Sequence, residues 1–307
     1  MRRILSIGEA MVEMSRADQP GLWRMGIAGD TLNTAWYLRR LLGADWQVGY
    51  LTRIGTGEFS QQMLDFLAAE GIDAAHVGRE EGAEIGLYAI SLKNGERSFA
   101  YWRGQSAAKR LADDPAALTA GLDGCHMAYL SGITLAILPP EGRQNLLDAL
   151  KAAQAAGTTV VFDTNLRPRL WSDPATMRAV TEQAAAMADL CLPSFDDEAA
   201  LFGDASPEAT LARYLTLGAG QVVVKNGGGT ILFGGREGQG QIDDLAREVP
   251  VDSTAAGDSF NAGYLASRLG GADCATAIRA GHALGCQVIR HPGALVRQAV
   301  LDAQAAL

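Results

Sequence analysis

Short apolar runs alternate with segments of helical spacing along most of the chain. Residues 3–8, 46–52 and 158–163 are apolar runs typical of buried strands. Residues 58–70 and 141–156 carry apolar positions at the spacing of an amphipathic helix. Because strands and helices alternate in this way, the pattern predicts an α/β fold with a mostly parallel central sheet.

The same periodicities place the remaining elements. Further strands are predicted at residues 72–77, 126–132, 190–192, 221–225 and 230–234. Further helices are predicted to begin near Asp30, after Pro193 and near Gly257, and to span 273–290 and 296–306.

Two predicted hairpins interrupt the alternation. The first, within residues 13–27, contains the turn signal Asp18-Gln19-Pro20-Gly21. The second, within residues 85–104, turns at Asn94-Gly95, and Asn-Gly between strand-like runs is the strongest short hairpin signal. Together these discontinuous segments predict a small antiparallel sheet that forms a lid over the main domain.

A stretch of small residues near the C-terminus opens onto a helix. Ala255, Ala256 and Gly257 let backbone N–H groups approach a ligand closely, and a helix N-terminus suits an anion. The carboxylate of Asp258 at the same place suggests that negative charge develops there during a reaction, while this group accepts a proton. The alternative is a turn with a capping Asp252 and a packing contact of small residues.

Other polar residues lie at predicted strand and helix ends. Asn33 occupies the first turn of the helix that follows Gly29, although it also suits a local backbone bond. Asp163, Asn165 and Arg167 follow a strand, and ligands of parallel sheets bind at that edge. A capped turn with a surface arginine is the alternative. The glycine run after residues 221–225 suits phosphates or an adenine, although such runs are most often tight connections.

The second hairpin carries aromatic and cationic side chains. Tyr101 and Arg103 are two positions apart and therefore share a face, with Tyr88 on the facing strand. Arginine binds a carboxylate through two parallel hydrogen bonds, and aromatic rings with polar tips contact hydroxyls, so these residues suit a small polyol acid. An aromatic face for sheet packing or subunit contact explains the same residues.

Composition narrows the class of protein. The chain has 307 residues, 48% hydrophobic and 20% charged, with a net charge of -9 and scattered basic residues, which argues against nucleic-acid or anionic-membrane partners. Its four cysteines have no metal-site spacing. Met1-Arg2-Arg3 resembles the start of a signal peptide, but Glu9 and Glu13 interrupt the apolar run, so we expect a cytoplasmic protein.

Two landmarks carry a family resemblance. They are Gly29-Asp30-Thr31-Leu32-Asn33-Thr34-Ala35 and Asp252-Ser253-Thr254-Ala255-Ala256-Gly257-Asp258-Ser259-Phe260. With this pair, the chain resembles ribokinase-like (phosphofructokinase B type) carbohydrate kinases over essentially its whole length. The resemblance implies a three-layer α/β sandwich with a small antiparallel β lid, as a single domain over residues 1–307.

Within that family, the chain most closely resembles 2-keto-3-deoxygluconate kinases. The segments that carry this resemblance are Tyr101-Trp102-Arg103, Asp163-Thr164-Asn165-Leu166-Arg167 with Leu170-Trp171, and Val224-Lys225-Asn226-Gly227-Gly228. The resemblance implies ATP- and Mg²⁺-dependent phosphorylation of a keto-deoxy sugar acid at its terminal hydroxyl, in a homo-oligomer. It leaves open whether a monovalent cation takes part.

The resemblance also implies residue roles. Asp258 is expected to be the catalytic base, with Ala255, Ala256 and Gly257 in the anion hole. The residues expected to bind the substrate are Gly29, Asp30, Asn33, Tyr88, Tyr101, Arg103, Arg167 and Asp252. Those expected to bind the nucleotide are Asn165, Ser194, Lys225, Gly227, Gly228 and Gly257.

One family element departs from its usual form. The family's Asn-x-x-Glu appears here as Ser194-Phe195-Asp196-Asp197 or, shifted to its Glu, as Phe195-Asp196-Asp197-Glu198. We assign Glu198 an indirect role in the Mg²⁺ water network. Three acids in a first helical turn also have a structural explanation, because they favour the helix dipole.

Other functions fit the sequence less well. Within the family, fructose, ribose or another deoxy sugar acid is an alternative acceptor. A dehydrogenase requires GxGxxG after the first strand, whereas Ile7-Gly8-Glu9-Ala10-Met11-Val12 has one glycine. A sugar sensor requires an output domain for which 307 residues leave little room.

Overall fold

The computed structural model describes residues 1–17, 19, 21–93 and 96–305. The predicted turn at Asn94-Gly95 lies outside the described residues, as do Asp18 and Pro20 of the other predicted turn. The strands within the described part are β1 (Arg2–Ile7), β2 (Met11–Arg16), β3 (Trp23–Ala28), β4 (Trp46–Ile54), β5 (Val77–Arg79), β6 (Gly86–Lys93), β7 (Glu96–Trp102), β8 (Met127–Ser131), β9 (Thr159–Asp163), β10 (Leu190–Cys191), β11 (Gln221–Val224), β12 (Ile231–Gly235) and β13 (Gly238–Ile242).

Helices connect most of these strands. They are α1 (Asp30–Leu41), α2 (Glu58–Ala69), α3 (Pro115–Leu122), α4 (Gly132–Ile137), α5 (Pro140–Ala155), α6 (Pro174–Met187), α7 (Phe195–Phe202), α8 (Pro207–Leu217), α9 (Ala256–Leu269), α10 (Cys274–Ile289) and α11 (Arg297–Ala305). Within the described residues, none of these helices has the length and apolar character needed to cross a membrane.

The large sheet has nine strands in the order β13-β12-β11-β10-β9-β8-β1-β4-β5. The strands from β11 to β5 pair in parallel, and β12 and β13 add an antiparallel edge. The prediction of a mostly parallel sheet is confirmed. The strand predicted at residues 72–77 is wrong: Asp73 alone makes a parallel bridge to Gly49 of β4, and a turn in which Val77 N–H donates to Ala74 O then interrupts the pairing until β5.

The side chains of the large sheet alternate between two cores. In β1, Ile4 belongs to one hydrophobic cluster, whereas Leu5 and Ile7 belong to the other. Helices α1, α9 and α10 cover the first cluster, and α3, α5 and α8 cover the second. Two helical layers with a sheet between them give the predicted three-layer sandwich.

Several helices were not specified by the hydrophobic pattern, namely α3, α4, α6 and α8. The strand predicted to end at Gly132 ends at Ser131, because α4 begins there. The Ser131 hydroxyl accepts from Thr134 N–H, and the Thr134 hydroxyl accepts from Ser131 N–H, which forms a capping box.

The small sheet consists of β3, β2, β6 and β7 in that order. Its two hairpins are antiparallel, as predicted, and they join through a parallel pairing of β2 with β6 that the sequence did not indicate. Met11 and Tyr88 share one face of this sheet and pack with Ala28 and Ala294. That face therefore lies over the main body.

The parallel strands bring polar residues to one edge. Strands β1, β8, β9 and β11 all end at this edge, and their ends carry Glu9, Ser131, Asp163 and Lys225. The small sheet and the first turn of α9 border the same edge. The candidate site lies there.

Candidate functional site

Two clefts meet at the carboxyl edge of the large sheet. The first, of about 300 Å³, lies between this edge and the small sheet, and the second, of about 420 Å³, lies between the loop after β11 and helices α9 and α10. Both are lined by Ser194, Lys225, Ser253, Ala256 and Gly257. A group that passes from one cleft to the other would therefore cross the N-terminus of α9.

Asp258 lies at the inner end of the first cleft and is buried. Its Oδ2 accepts a hydrogen bond of 2.8 Å from Asn33 Nδ2, which joins residues 225 positions apart in the sequence. Asn33 Oδ1 also accepts a longer, 3.4 Å bond from Gly29 N–H. The two landmark segments thus meet in space, and Asn33 orients the carboxylate in addition to making the local bond.

The surroundings of Asp258 disfavour its charged form. Burial, the charge of Asp30 and, more weakly, the charge of Asp163 raise the pKa of Asp258 to about 8. The Asn33 hydrogen bond and the Lys225 ammonium act in the opposite direction. A carboxylate in this environment is a stronger proton acceptor than an exposed one.

The segment before α9 is shaped to present backbone donors. Ala255 has left-handed backbone angles, φ 59° and ψ 18°, which cost a residue with a Cβ about 1 kcal/mol. This turn starts α9 beside the first cleft, and the N–H groups of Gly257 and Asp258 have no intrahelical acceptor in a first turn. The arrangement can bind an anion next to the Asp258 carboxylate.

Lys225 is a buried cation between the two clefts. Its Nζ lies 3.0 Å from Asp163 Oδ1 and 3.1 Å from Asn261 Oδ1. Asn261 Nδ2 in turn donates to Asp163 Oδ2 at 2.9 Å and to the Tyr129 hydroxyl at 3.0 Å. A Cβ added to Gly257 would be 3.7 Å from Lys225 Nζ, so the ammonium faces the first turn of α9.

Asp30 and Asn165 form a second polar group in the first cleft. Asp30 Oδ2 accepts from Asn165 Nδ2 at 2.7 Å and from Ser131 Oγ at 2.5 Å. Burial and the nearby charge of Asp163 raise the pKa of Asp30. Asn165, predicted to bind the nucleotide, lines the first cleft and does not line the second.

The small sheet contributes the opposite wall of the first cleft. Tyr88, Tyr101 and Arg103 all line it, and the rings of Tyr88 and Tyr101 lie 5.8 Å apart. The Tyr88 hydroxyl donates to Glu13, and Arg103 Nη2 donates to Glu9. Arg167, whose side chain is half exposed, reaches the same cleft from the loop after β9.

The second cleft is more apolar than the first. Gly227 and Gly228, predicted to bind the nucleotide, line it together with Phe260, His282 and Cys286. Neither His282 nor Cys286 was indicated by the sequence. They lie one helical turn apart on α10, with 3.3 Å between Cys286 Sγ and His282 Nε2.

Asp252 lies outside both clefts. Its Oδ1 accepts from Thr254 N–H at 2.9 Å and its Oδ2 from Gly293 N–H at 2.5 Å. The side chain is buried and ties the loop before α9 to the segment before α11. This geometry supports the anion-binding turn, and it does not fit the predicted contact with substrate.

Glu198, predicted to act indirectly in the Mg²⁺ water network, lines neither cleft. It is fully buried, and its Oε2 accepts from Arg213 Nη2 at 2.8 Å and from the Tyr214 hydroxyl at 3.0 Å. The side chain that lines the first cleft is Asp197. Successive helical residues differ in direction by about 100°, so in α7 only one of the two can face the cleft.

Glu9 is a site residue that the sequence-based prediction missed. It is 2% exposed, lines the first cleft and pairs with Arg103. The available signal was an acidic residue directly after a buried strand, at the edge where ligands bind.

Comparison with known proteins gives consistent similarities. A family model described as pfkB family carbohydrate kinase matches residues 1–298. A 2-dehydro-3-deoxygluconokinase of Escherichia coli is 40% identical over 98% of this chain and 99% of its own length. A solved PfkB protein from a Polaromonas species is 30% identical with a TM-score of 0.80, covering 95% of this chain and 97% of its own.

A third relative shows likeness of fold alone. A putative ribokinase II from Escherichia coli, solved in complex with ATP and Mg²⁺, has a TM-score of 0.85 at 22% identity, and the match covers 99% of this chain and 98% of the other.

Proposed function

Because the chain belongs to the pfkB family of carbohydrate kinases, we propose that it transfers the γ-phosphoryl group of ATP to the terminal hydroxyl of 2-keto-3-deoxygluconate. The product is 2-keto-3-deoxy-6-phosphogluconate. The observation that carries this proposal is the meeting of two clefts at Lys225 and Gly257, with Asp258 at the inner end of one of them.

The first cleft suits the acceptor. Asp30 and Asn165 offer polar groups for hydroxyls, and Tyr88 and Tyr101 offer rings with polar tips. Arg103 supplies a cation that can fork the acid group of the sugar, with Arg167 as a second. Cations at this place in a chain of net charge -9 favour an anionic acceptor over a neutral sugar.

Asp258 acts as the general base in this proposal. Its carboxylate accepts the proton of the terminal hydroxyl while that oxygen forms a bond to the γ-phosphorus. The bond from the γ-phosphorus to the bridging oxygen breaks, and ADP leaves with the electron pair. The first-turn N–H groups of α9 and the Lys225 ammonium stabilise the charge on the transferring group.

The second cleft suits ATP, with Gly227 and Gly228 against the nucleotide and Lys225 at its phosphate end. Bound Mg²⁺ neutralises phosphate charge in such transfers. Asp197, which lines the first cleft together with Ser194 and Lys225 of the junction, fits an indirect role in holding it, in place of Glu198. Burial raises the pKa of Asp197 and the neighbouring Arg167 lowers it.

Finer expectations concern the loops, the assembly and the compartment. Asp252 supports the anion-binding turn. Whether turnover requires a monovalent cation is tested by measuring activity with added K⁺ or Na⁺. Trp23, Met25 and Trp102 are exposed on the small sheet, which supports a homo-oligomer through that sheet. The four cysteines are unpaired, as in proteins of reducing compartments, which supports the cytoplasm.

A coupled assay of ADP release tests the proposed function. With Mg-ATP, turnover is expected with 2-keto-3-deoxygluconate, and with fructose or ribose it should be much weaker. A higher kcat/KM for a neutral sugar would overturn the choice of acceptor.

The arginines provide the matching variants. Arg103→Ala and Arg167→Ala should raise the KM for the sugar acid by about tenfold or more, because each removes a charge-assisted hydrogen bond. The KM for a neutral sugar should change far less. Equal effects on both classes of acceptor would contradict carboxylate binding.

A further inference from the structure

We propose that Glu9 is a positioning residue that sets the orientation of Arg103 and so determines the affinity of the first cleft for the acid group of the acceptor. This inference rests on the proposed function, because it assumes an acidic acceptor. It gives a role to the Glu9 side chain, which takes no part in the phosphoryl transfer itself.

The pair is buried at the wall of the first cleft. The Arg103 side chain is 12% exposed and the Glu9 side chain 1%, and both residues line the cleft. Arg103 Nη2 donates to Glu9 Oε2, whereas Arg103 Nε has no hydrogen-bond partner among the described residues. Glu9 therefore holds one corner of the guanidinium, and the buried Nε–H of the same fork has no acceptor within the described residues.

The surrounding backbone is built to admit this pair. A Cβ on Gly86 would lie 3.0 Å from Glu9 Oε1 and 3.1 Å from Arg103 Cβ, so a side chain there would crowd both partners. A Cβ on Gly29 would lie 2.3 Å from the Glu9 carbonyl oxygen, which fixes the backbone of Glu9 against the start of α1.

The pair also links the main body to the small sheet. Glu9 follows β1, which is a central strand of the large sheet, whereas Arg103 follows β7, the edge strand of the small sheet. Arg103 has no carboxylate partner besides Glu9 in the described part of the chain. Without Glu9, the cation would keep its charge and lose the contact that ties it to the large sheet.

A purely structural role explains the pair less well. A buried ion pair contributes little net stability, because the cost of removing both charges from water offsets their attraction. Burial raises the pKa of the Glu9 carboxyl, and Arg103 opposes that shift. In the cleft proposed to bind the acidic acceptor, the pair instead fixes the orientation of the Arg103 guanidinium, which has to bind the carboxylate of the acceptor.

A double-mutant cycle on KM tests the inference. Glu9→Ala, Arg103→Met and the double variant are assayed with 2-keto-3-deoxygluconate at saturating Mg-ATP. Glu9→Ala should raise KM by about tenfold while kcat changes by less than about threefold, because orientation of a binding group is lost. With Met at position 103, the same change should alter KM by less than about twofold. Glu9→Gln should recover most of the affinity, because its amide oxygen accepts the same bond.

Glu70→Ala is the matched control. Glu70 is a largely buried glutamate, with its side chain 9% exposed, that pairs with Arg40 and Arg297 outside both clefts, so its loss should leave KM unchanged. If Glu9→Ala does not fold, the cycle is run with Glu9→Leu, which fills much of the same space and cannot accept the bond from Arg103, and a KM increase is expected only when Arg103 is present.

Three results separate the possibilities. No turnover of the sugar acid by the wild-type protein would overturn the proposed function, and the role of Glu9 with it. Wild-type turnover together with an unchanged KM in Glu9→Ala would overturn the role of Glu9 alone. A KM increase that persists with Met at position 103, or a fall in kcat without a change in KM, would also overturn that role alone.

Discussion

At the scale of single residues, the site depends on the Asp258 carboxylate, whose charged form is disfavoured by its surroundings. Asp258 is buried, near Asp30 and Asp163, and has one hydrogen bond from Asn33. Lys225 offsets part of the accumulated negative charge from the other side. A proton acceptor of this kind gains basicity at the expense of folding stability.

This trade predicts that Asp258→Asn stabilises the protein at high pH. The pKa of Asp258 is raised to about 8, so the folded protein retains a proton that the unfolded chain releases near pH 4. The free energy of unfolding therefore falls as pH rises through that window. Thermal unfolding should show a small difference between the variant and the wild type near pH 5 and a clearly higher Tm for the variant at pH 8.5. A difference that shrinks as pH rises would contradict the assignment.

Asp30→Asn should move the pH profile of catalysis. Burial is the largest cause of the raised pKa of Asp258, and the charge of Asp30 is the next. Removing that charge lowers the pKa of Asp258, so the acid limb of kcat/KM should shift to lower pH, whatever happens to the plateau. The profile measured with the sugar acid checks this, and an acid limb that stays in place or moves upward would disprove the coupling.

Sequence was sufficient for some of these residues and insufficient for others. Asp258 and Asn33 lie in short segments of distinctive composition, so both were assigned to the site, although their hydrogen bond was not predicted. Glu198 was chosen over Asp197 because it matches the Glu of the family's Asn-x-x-Glu element, although a shift of one residue along a helix turns a side chain from cleft to core. Glu9 went unnoticed because its partner, Arg103, lies 94 positions away.

At the scale of elements, two helices hold the anion-binding turn in place. Helices α9 and α10 pack closely where Gly263 and Gly281 face each other. A Cβ on Gly281 would lie 2.6 Å from the Phe260 carbonyl oxygen, and a Cβ on Gly263 would lie 2.9 Å from Gly281 Cα. Both neighbours are backbone atoms, so the helices themselves would have to separate.

Gly281→Ala should therefore destabilise the protein, despite the better helix propensity of alanine. The matched control is Gly285→Ala, one turn later on α10, where the nearest atom to the new Cβ lies at 3.4 Å. Alanine there should be neutral or stabilising by up to about 1 kcal/mol. Denaturant unfolding of both variants compares the two positions, and equal stability would show that the helix contact tolerates a methyl group.

The hydrophobic pattern predicted some elements better than others. Runs such as β1, β4 and β9 were found within a residue or two, because strands buried on both faces are apolar throughout. The segment 72–77 is equally apolar at its start, yet only Asp73 bridges to β4 before the backbone turns. Neither α6 nor α8 was specified. The parallel pairing of β2 with β6 depends on how two distant hairpins meet, which no local pattern encodes.

At the scale of the whole molecule, function follows from where the strands end. The parallel sheet delivers residues from β1, β9 and β11 to one edge, the small sheet covers that edge, and α9 places donors at the junction of two clefts. The family and the sandwich followed from sequence because the motifs lie at these ends, and so did the presence of Asp30, Tyr88 and Arg103 in one cleft. The outline of the second cleft could not be predicted, because His282 and Cys286 lie on α10 and no local pattern shows where that helix packs.

The most direct test of the proposed mechanism is the kcat for phosphorylation of 2-keto-3-deoxygluconate by the wild-type protein and by Asp258→Asn, with folding checked by circular dichroism. We expect turnover by the wild type and a loss of ~10²- to 10⁴-fold in the variant, because a general base is removed. Turnover by a folded Asp258→Asn protein within a few-fold of the wild-type rate would contradict the mechanism.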